Sequence, residues 1–385
     1  GLVRLLMLYA ITKFTFAIGA DLSIDIYRRT LYQDYSVHVE TNSSEVINNI
    51  IIKTGIVING VLRPTLILMS ATILLIGIVV GLFLVDSRVA LLMAVGFGSL
   101  YLIAILYTRS HISKNSQIIA NQSTLMIKSL QEGLGGIRDV LINKSQDFYC
   151  NLYRNADLPL RKATGDNIFL AGSPRYFVEA IGLTIISIIA YLMTIQKSTG
   201  LEAIPILGAI ALGAQKMLPI LQQSYSAYTA IKGSKASFND AVNILDEPFL
   251  KAEIRDLSKC FSFNNEISLK GLSFQYQEKN NKNSPFVLND INLTILKGEC
   301  VGVIGGTGGG KSTLTDIIMG LLFPTKGQLV VDGVTVNKNN VTSWQSRIAH
   351  VPQHIYLFDG SIAENIAFGI PFNEINHELV REVAH

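Results

Sequence analysis

The residues best equipped for chemistry form one short run, Gly305-Gly306-Thr307-Gly308-Gly309-Gly310-Lys311-Ser312, followed by Thr313. The pattern is G-x-x-x-x-G-K-[ST], a loop that cradles polyphosphate. Glycines let backbone N–H groups turn inward around phosphate oxygens with no Cβ in the way. A helix starting at the loop's end adds its free N–H groups and the positive end of its dipole. Lys311 supplies a mobile cation, and the Ser312 hydroxyl can ligate Mg²⁺. The motif needs a strand before it and a helix after it. The apolar residues 300–304 predict the strand, and residues 312–322 predict the helix.

Two further side chains fit the same chemistry. Tyr276 ends a stretch of alternating apolar residues, and an aromatic ring there can stack on a nucleobase. Gln353, in Val351-Pro352-Gln353, is expected to follow a short strand; its amide oxygen can ligate Mg²⁺ or orient an attacking water. Each is weak evidence alone. Asp332, at the end of Leu329-Val330-Val331, mimics a metal-binding aspartate, but Asp332-Gly333 followed by more alternation predicts a two-residue hairpin. Asn337-Lys338 mimics a guanine-reading motif, yet position 340 is Asn and the required carboxylate is missing.

Several elements must hold this loop. Residues 267–276 alternate, with Ile267 and Leu269 before Gly271 and Leu272, Phe274 and Tyr276 after it. Residues 278–284 read as an Asn/Lys-rich turn, and residues 291–295 alternate again. The pattern before residue 246 is different. The chain of 385 residues is 49% hydrophobic and 16% charged, against about 25% charged for soluble domains. Apolar blocks at 2–19, 65–85, 89–107, 178–195 and 204–221 predict five membrane spans. The full apolar stretch 55–85 would be about 46 Å long as a helix, against roughly 30 Å of bilayer core, so Arg63-Pro64 is expected at an interface. Long polar segments carry most of the Lys and Arg, which places them in the cytosol. They predict helical levers with tips near 31–38 and 143–149. Net charge is +3, giving no reason to expect nucleic acid as a partner. Cys150, Cys260 and Cys300 are far apart and read as reduced thiols.

Together these residues resemble the ABC transporter family, of the exporter type with membrane and nucleotide domains fused. The resemblance rests on Phe274-x-Tyr276, on Gly305 to Thr313, on Val351-Pro352-Gln353, and on the run from Tyr356 to Gly369. It implies a multidomain membrane protein: an α-helical transmembrane bundle over residues 1–245, a linker at 246–265, and an incomplete α/β P-loop nucleotide-binding domain over 266–385. It further implies ATP and Mg²⁺ as cofactors. Tyr276, Gly305, Gly306, Thr307, Gly308, Gly309, Gly310, Lys311, Ser312, Thr313 and Gln353 would contact the nucleotide. Ser312 and Gln353 would hold the metal, and Lys311 and Gln353 would serve ATP hydrolysis.

The expected partners are a second half-transporter (identical or not), the lipid bilayer and an amphipathic substrate. The expected place is a bacterial inner membrane, with the nucleotide domain in the cytosol. Asn42-Ser43-Ser44-Glu45 and Pro174-Arg175-Tyr176 look most like flippases of lipid-linked oligosaccharides and related polysaccharide exporters. Lipid, multidrug and peptide substrates stay open, as does a remnant that binds ATP without transport. The family's Leu-Ser-Gly-Gly-Gln, Walker B and switch histidine are expected after His385, and one span before Gly1. Lys216, about 18 Å into its span, is a cation that would favour an anionic amphiphile.

Overall fold

The computed structural model of the chain describes residues 2–85, 87–195, 200–246, 263–276, 285–353 and 355–385. They belong to two compact units, Gly1–Glu253 and Ile254–His385. Most of the expected linker at 246–265 lies outside the described residues, as does the turn at 278–284.

The first unit is helical throughout. Its elements are α1 (Leu2–Leu31), α2 (Tyr35–Glu40), α3 (Ser43–Ile47), α4 (Thr54–Val57), α5 (Arg63–Val85), α6 (Ser87–Gly135), α7 (Ile137–Ile142), α8 (Gln146–Gly172), α9 (Pro174–Ile195), α10 (Gly200–Gly233) and α11 (Lys235–Asp246). Asn42 starts α3 by accepting the Ser44 N–H at 3.0 Å, an ordinary N-cap. From there to Val85 the chain is one rod, interrupted by π-helical stretches at Asn48–Lys53 and Ile58–Leu62. The second stretch has a clear cause. Pro64 has no N–H and its ring would strike the carbonyl four residues back, so the wider π turn relieves the clash.

Among the described residues, three helices are long and apolar enough to cross a membrane: Leu2–Leu31, Ser43–Leu84 and Met93–Gly135. The blocks expected at 178–195 and 204–221 fall in α9 and α10. With 49 residues, α6 is about 74 Å long, more than twice the bilayer core. The helices turn back at the two expected tips, between α1 and α2 and between α7 and α8. Met93, Phe97 and Tyr101 of α6 pack on Val178 of α9 and on Ala214, Met217 and Tyr225 of α10. A smaller core of Ile26, Val57 and Ala241 joins α1, α4 and α11.

The second unit holds β1 (Glu266–Phe274), β2 (Leu288–Leu296), α12 (Lys311–Ile318), β3 (Lys326–Val331), β4 (Val334–Thr335), α13 (Val341–Gln345), α14 (Ile362–Ile366) and α15 (His377–Ala384). The described strands form an antiparallel sheet in the order β2-β1-β3-β4. The apolar alternation in β1 changes phase at Gly271. There a left-handed residue (φ +58°) makes a bulge that shifts the register against both neighbours. Leu269, Leu272 and Phe274 therefore all reach one core, with Ile317 of α12, Leu329 and Val331 of β3, and Trp344.

Two expectations fail. Residues 300–304 and the segment before Gln353 do not form strands. A strand exists by virtue of a ladder partner, and among the described residues neither segment has one. Their side chains are exposed instead, Ile304 and Val351 almost fully. The helix expected to reach 322 stops at Ile318. Gly320 turns left-handed (φ +69°) just past it. Trp344 Nε1 then donates to the Ile318 carbonyl at 2.8 Å and Gln345 Nε2 to the Gly320 carbonyl at 3.1 Å, satisfying the helix end and fastening α13 to it.

Candidate nucleotide site

The loop of residues 305–310 feeds directly into α12. Gly308 and Gly310 both have φ near +79°, so N–H groups that a helix or strand would aim sideways turn into one concavity. Gly310 is the N-cap of α12. A Cβ there would lie 2.8 Å from Leu288 Cδ2 and 3.1 Å from the Val287 carbonyl oxygen, at the start of β2. Two independent constraints, backbone hand and space, therefore exclude any side chain. No such crowding surrounds Gly306 or Gly308.

Lys311 Nζ donates to the carbonyls of Gly305 and Gly306 at 2.8 and 2.7 Å. The ammonium thus lies across the mouth of its own loop, on oxygens that cannot bind an anion, and within reach of whatever the loop's N–H groups hold. Ser312 is exposed on the first turn of α12, where its hydroxyl is open to a metal. Thr313 is buried and within 3.1 Å of the Tyr276 hydroxyl. Tyr276 packs against the unit's core and edge-on to Phe274, with ring centroids 4.9 Å apart. The expected base-stacking residue and the expected phosphate helix are thereby brought together. Burial raises the Asp316 carboxyl of α12 above its ordinary value, and the charge of His350 lowers it in part. Gln353 itself is exposed, and no hydrogen bond joins it to the loop among the described residues. Thr307 and Gly309 complete the loop, with Gly309 N–H donating to the Gly306 carbonyl at 3.2 Å.

Asp332 is not part of this site. With Gly333 it forms a left-handed turn (φ +47° and +82°) between β3 and β4. Its carboxylate accepts three N–H groups, from Asn264, Asn265 and Glu266 at 2.5, 2.9 and 2.8 Å. These bonds, those of Asn264 and Glu266 foremost, hold its pKa below the ordinary carboxylate value. The run after Gln353 is built locally. Ser361 and Glu364 cap α14 reciprocally, and the Asn365 side chain brackets the Phe358 backbone at 3.1 and 3.2 Å.

Sequence reasoning did not find the contacts of Thr313 with Tyr276 or of Gly310 with Val287 and Leu288. Only the last left a signal, because a glycine required on grounds of space looks the same in a sequence as one required for a turn.

Comparison with known proteins agrees with this geometry. Residues 288–384 match the family model described as ABC transporter. The chain is 21% identical over 366 residues to the ATP-dependent lipid A-core flippase of Paraburkholderia xenovorans, covering 94% of this chain and 60% of that protein. It is 24% identical over 361 residues to the heterocyst differentiation ATP-binding protein HepA of Nostoc sp., covering 91% and 56%. Against the glutathione/L-cysteine transport system ATP-binding/permease protein CydC of Bacillus subtilis it is 27% identical over 212 residues, covering 55% and 35%. The chain thus spans 60% or less of these relatives' lengths. Among solved structures, a bacterial Atm1-family ABC exporter with ATP bound superposes with a TM-score of 0.76 at 16% identity, covering 97% of this chain and 64% of that one. The chain therefore has the fold of an ABC exporter, and residues 288–384 match an ABC transporter domain, as the motifs implied.

Proposed function

We propose that this protein is half of an ATP-driven exporter that flips or exports an amphipathic substrate across a membrane, working as a dimer with a second half-transporter. The observation that carries this is the glycine loop with Lys311 across its mouth, at the head of α12, in a chain with the exporter fold. In this reading the loop N–H groups and Lys311 hold the phosphates, Ser312 and Gln353 hold Mg²⁺, and Tyr276 faces the base. Bound Mg²⁺ would neutralise charge developing on the phosphates. Residues 1–245 form the membrane domain and 266–385 the nucleotide domain, joined by 246–265. The excess of Lys and Arg in the long polar segments supports a cytosolic nucleotide domain in a bacterial inner membrane, and the bacterial sources of the relatives fit this.

For the substrate, the lipid A-core flippase and the exposure of Lys216 on α10 favour an anionic, glycan-bearing lipid. Arg175 contributes less, since it lies 3.7 Å from Glu179 one turn on. The lever tips are proposed contacts with a nucleotide domain. At the second tip Phe148 is the exposed aromatic, while Tyr149 packs towards Gly133.

The test is ATP-dependent movement of a fluorescent pyrophosphate-linked glycan lipid by the full-length protein in proteoliposomes, with Lys311→Ala as the blank. Movement that persists in the blank ends the exporter reading. Transport that is unchanged in both Lys216→Ala and Lys216→Glu ends the role of that cation. Transport of a cationic drug alone replaces the substrate class.

A further inference from the structure

A second site lies in the helical unit, where two irregularities of the backbone meet. The helix pair α10 and α11 is broken at Ser234, whose N–H turns back to the Ala230 carbonyl at 3.0 Å. Facing the break is the π-helical stretch Ile58–Leu62. Gly60 makes the approach possible: a Cβ there would sit 2.0 Å from Ser234 Oγ. Helices that break and widen opposite each other cannot interdigitate fully. The result is a cavity of about 280 Å³ lined by Val61, Tyr228, Ile231 and Phe238, with Lys232 and Lys235 on its wall. Among the described residues neither lysine has an ion-pair partner. The nearby Asp240 is committed to Lys53 at 2.6 Å.

We propose that this cavity binds the phosphate headgroup region of an anionic diacyl phospholipid from the cytosolic leaflet. The proposal rests on the orientation given under Proposed function. Four observations favour that occupant. The uncharged stretch of α5 begins at Thr65, one helical turn from Val61, so the cavity opens at headgroup depth. The walls are apolar and aromatic, as suits the glycerol and first methylenes of a chain. The stems of the two lysines line the cavity, and such side chains hold their charged heads out of apolar surface, where they can meet one phosphate in the leaflet where anionic lipids attract basic residues. The volume falls just below the roughly 300–1,000 Å³ of small-molecule sites, too little for a branched glycolipid. The occupant is therefore a resident lipid and not the transported cargo. Because Lys235 and Phe238 belong to α11, the last helix before residues 247–262, the lipid would brace the segment that leads to the nucleotide unit.

Native mass spectrometry of the detergent-purified full-length protein provides the test, with dioleoylphosphatidylglycerol and dioleoylphosphatidylcholine as probes. Phosphatidylglycerol should form a saturable adduct that phosphatidylcholine does not. Replacing Lys232→Gln and Lys235→Gln together should weaken it about thirtyfold, from roughly a fivefold loss per lysine. Val61→Trp, which fills the cavity and keeps both charges, should also remove the adduct, and it carries the test if the double variant does not fold. Equal adducts from the two lipids overturn the proposal, as does phosphatidylglycerol binding that survives both variants. Full competition by millimolar inorganic phosphate, with no preference between lipids, makes it a soluble-anion site and overturns the lipid. Lipid binding is read without ATP. A protein that binds phosphatidylglycerol as described but moves no substrate would sink the exporter reading and leave this site standing.

Discussion

The two units use polar groups in opposite ways. In the nucleotide unit the chemistry lies in one contiguous loop, exposed, built from backbone N–H groups and a lysine resting on carbonyls five and six residues away in sequence. In the helical unit several polar contacts are partly buried and join distant residues. Asn48 donates to Thr124 at 2.8 Å, Asn115 to Asn167 at 2.9 Å, Tyr101 to Gln222 at 3.0 Å, and Lys53 pairs with Asp240. A site that must receive a ligand leaves its donors open. A bundle that must hold long helices together in a poorly solvating medium spends them on one another. Substitutions should therefore hit function in the nucleotide unit and stability in the helical unit, and each prediction below sets one against the other.

The largest effect is expected at Lys311. Lys311→Ala removes the only loop cation, and ATPase activity of the full-length protein should fall roughly 10²- to 10³-fold, the scale of losing one preorganised electrostatic group. Thermal unfolding should hardly move, because Lys311 bonds only to carbonyls that water can serve. Phosphate release measured beside a melting curve checks both halves. A variant that melts early and keeps its rate would reverse the proposed contrast.

Next is the buried pair, which carries an internal asymmetry. The Lys53 side chain is 7% exposed and that of Asp240 39%. Asp240→Asn leaves a cation buried without its counter-ion, whereas Lys53→Met leaves a carboxylate that water already reaches. Breaking a fully buried pair costs about 3–5 kcal/mol; half-exposure of Asp240 puts this one towards or below the lower end. Unfolding of detergent-solubilised variants should rank Asp240→Asn below Lys53→Met. The opposite order would mean the pair does not hold α11.

That difference also explains what could be read from the residues alone. The phosphate loop is local, so its eight-residue spacing was enough to locate it, and the hairpin at Asp332-Gly333 followed from two residues. Lys53 and Asp240 gave no such signal. Nothing near either residue in sequence reports a partner 187 positions away. The strands expected at 300–304 and before Gln353 fail for a related reason. Alternation reports a tendency to pair, and pairing needs a second strand that the segment itself does not encode. The π-helical stretches were likewise invisible apart from Pro64, whose sterics act backwards on Gly60.

Within the loop, two glycines separate conformational from spatial need. Gly310→Ala meets Leu288 and a left-handed backbone, the latter alone costing about 1–2 kcal/mol, so ATP affinity should drop at least tenfold in a fluorescent-nucleotide titration. Gly306→Ala meets nothing within 4 Å and should lose severalfold at most. Equal losses would show that bound phosphate fills the space over Gly306 and that the crowding under Gly310 is irrelevant.

The smallest effect is a pH dependence that belongs to the turn and not to the nucleotide site. The Asp332 carboxylate is partly exposed but holds three N–H groups at the entrance to β1, and its folded pKa is depressed. A depressed folded value means that the folded unit binds its proton less readily than the unfolded chain. The stabilisation is therefore complete above the ordinary carboxylate value and drains away as pH falls through the lower, folded one. Glu364 acts in the same direction, lowered by the hydroxyl and N–H of Ser361, so a wild-type acid transition alone does not isolate Asp332. The comparison that does is Asp332→Asn, which keeps the turn residue type and an acceptor oxygen but cannot ionise. Its unfolding midpoint should lie slightly below wild type at neutral pH and converge with it in acid. Parallel curves at all pH values would mean that the three N–H bonds contribute no charge-dependent stability, and that the turn is held by its left-handed backbone alone.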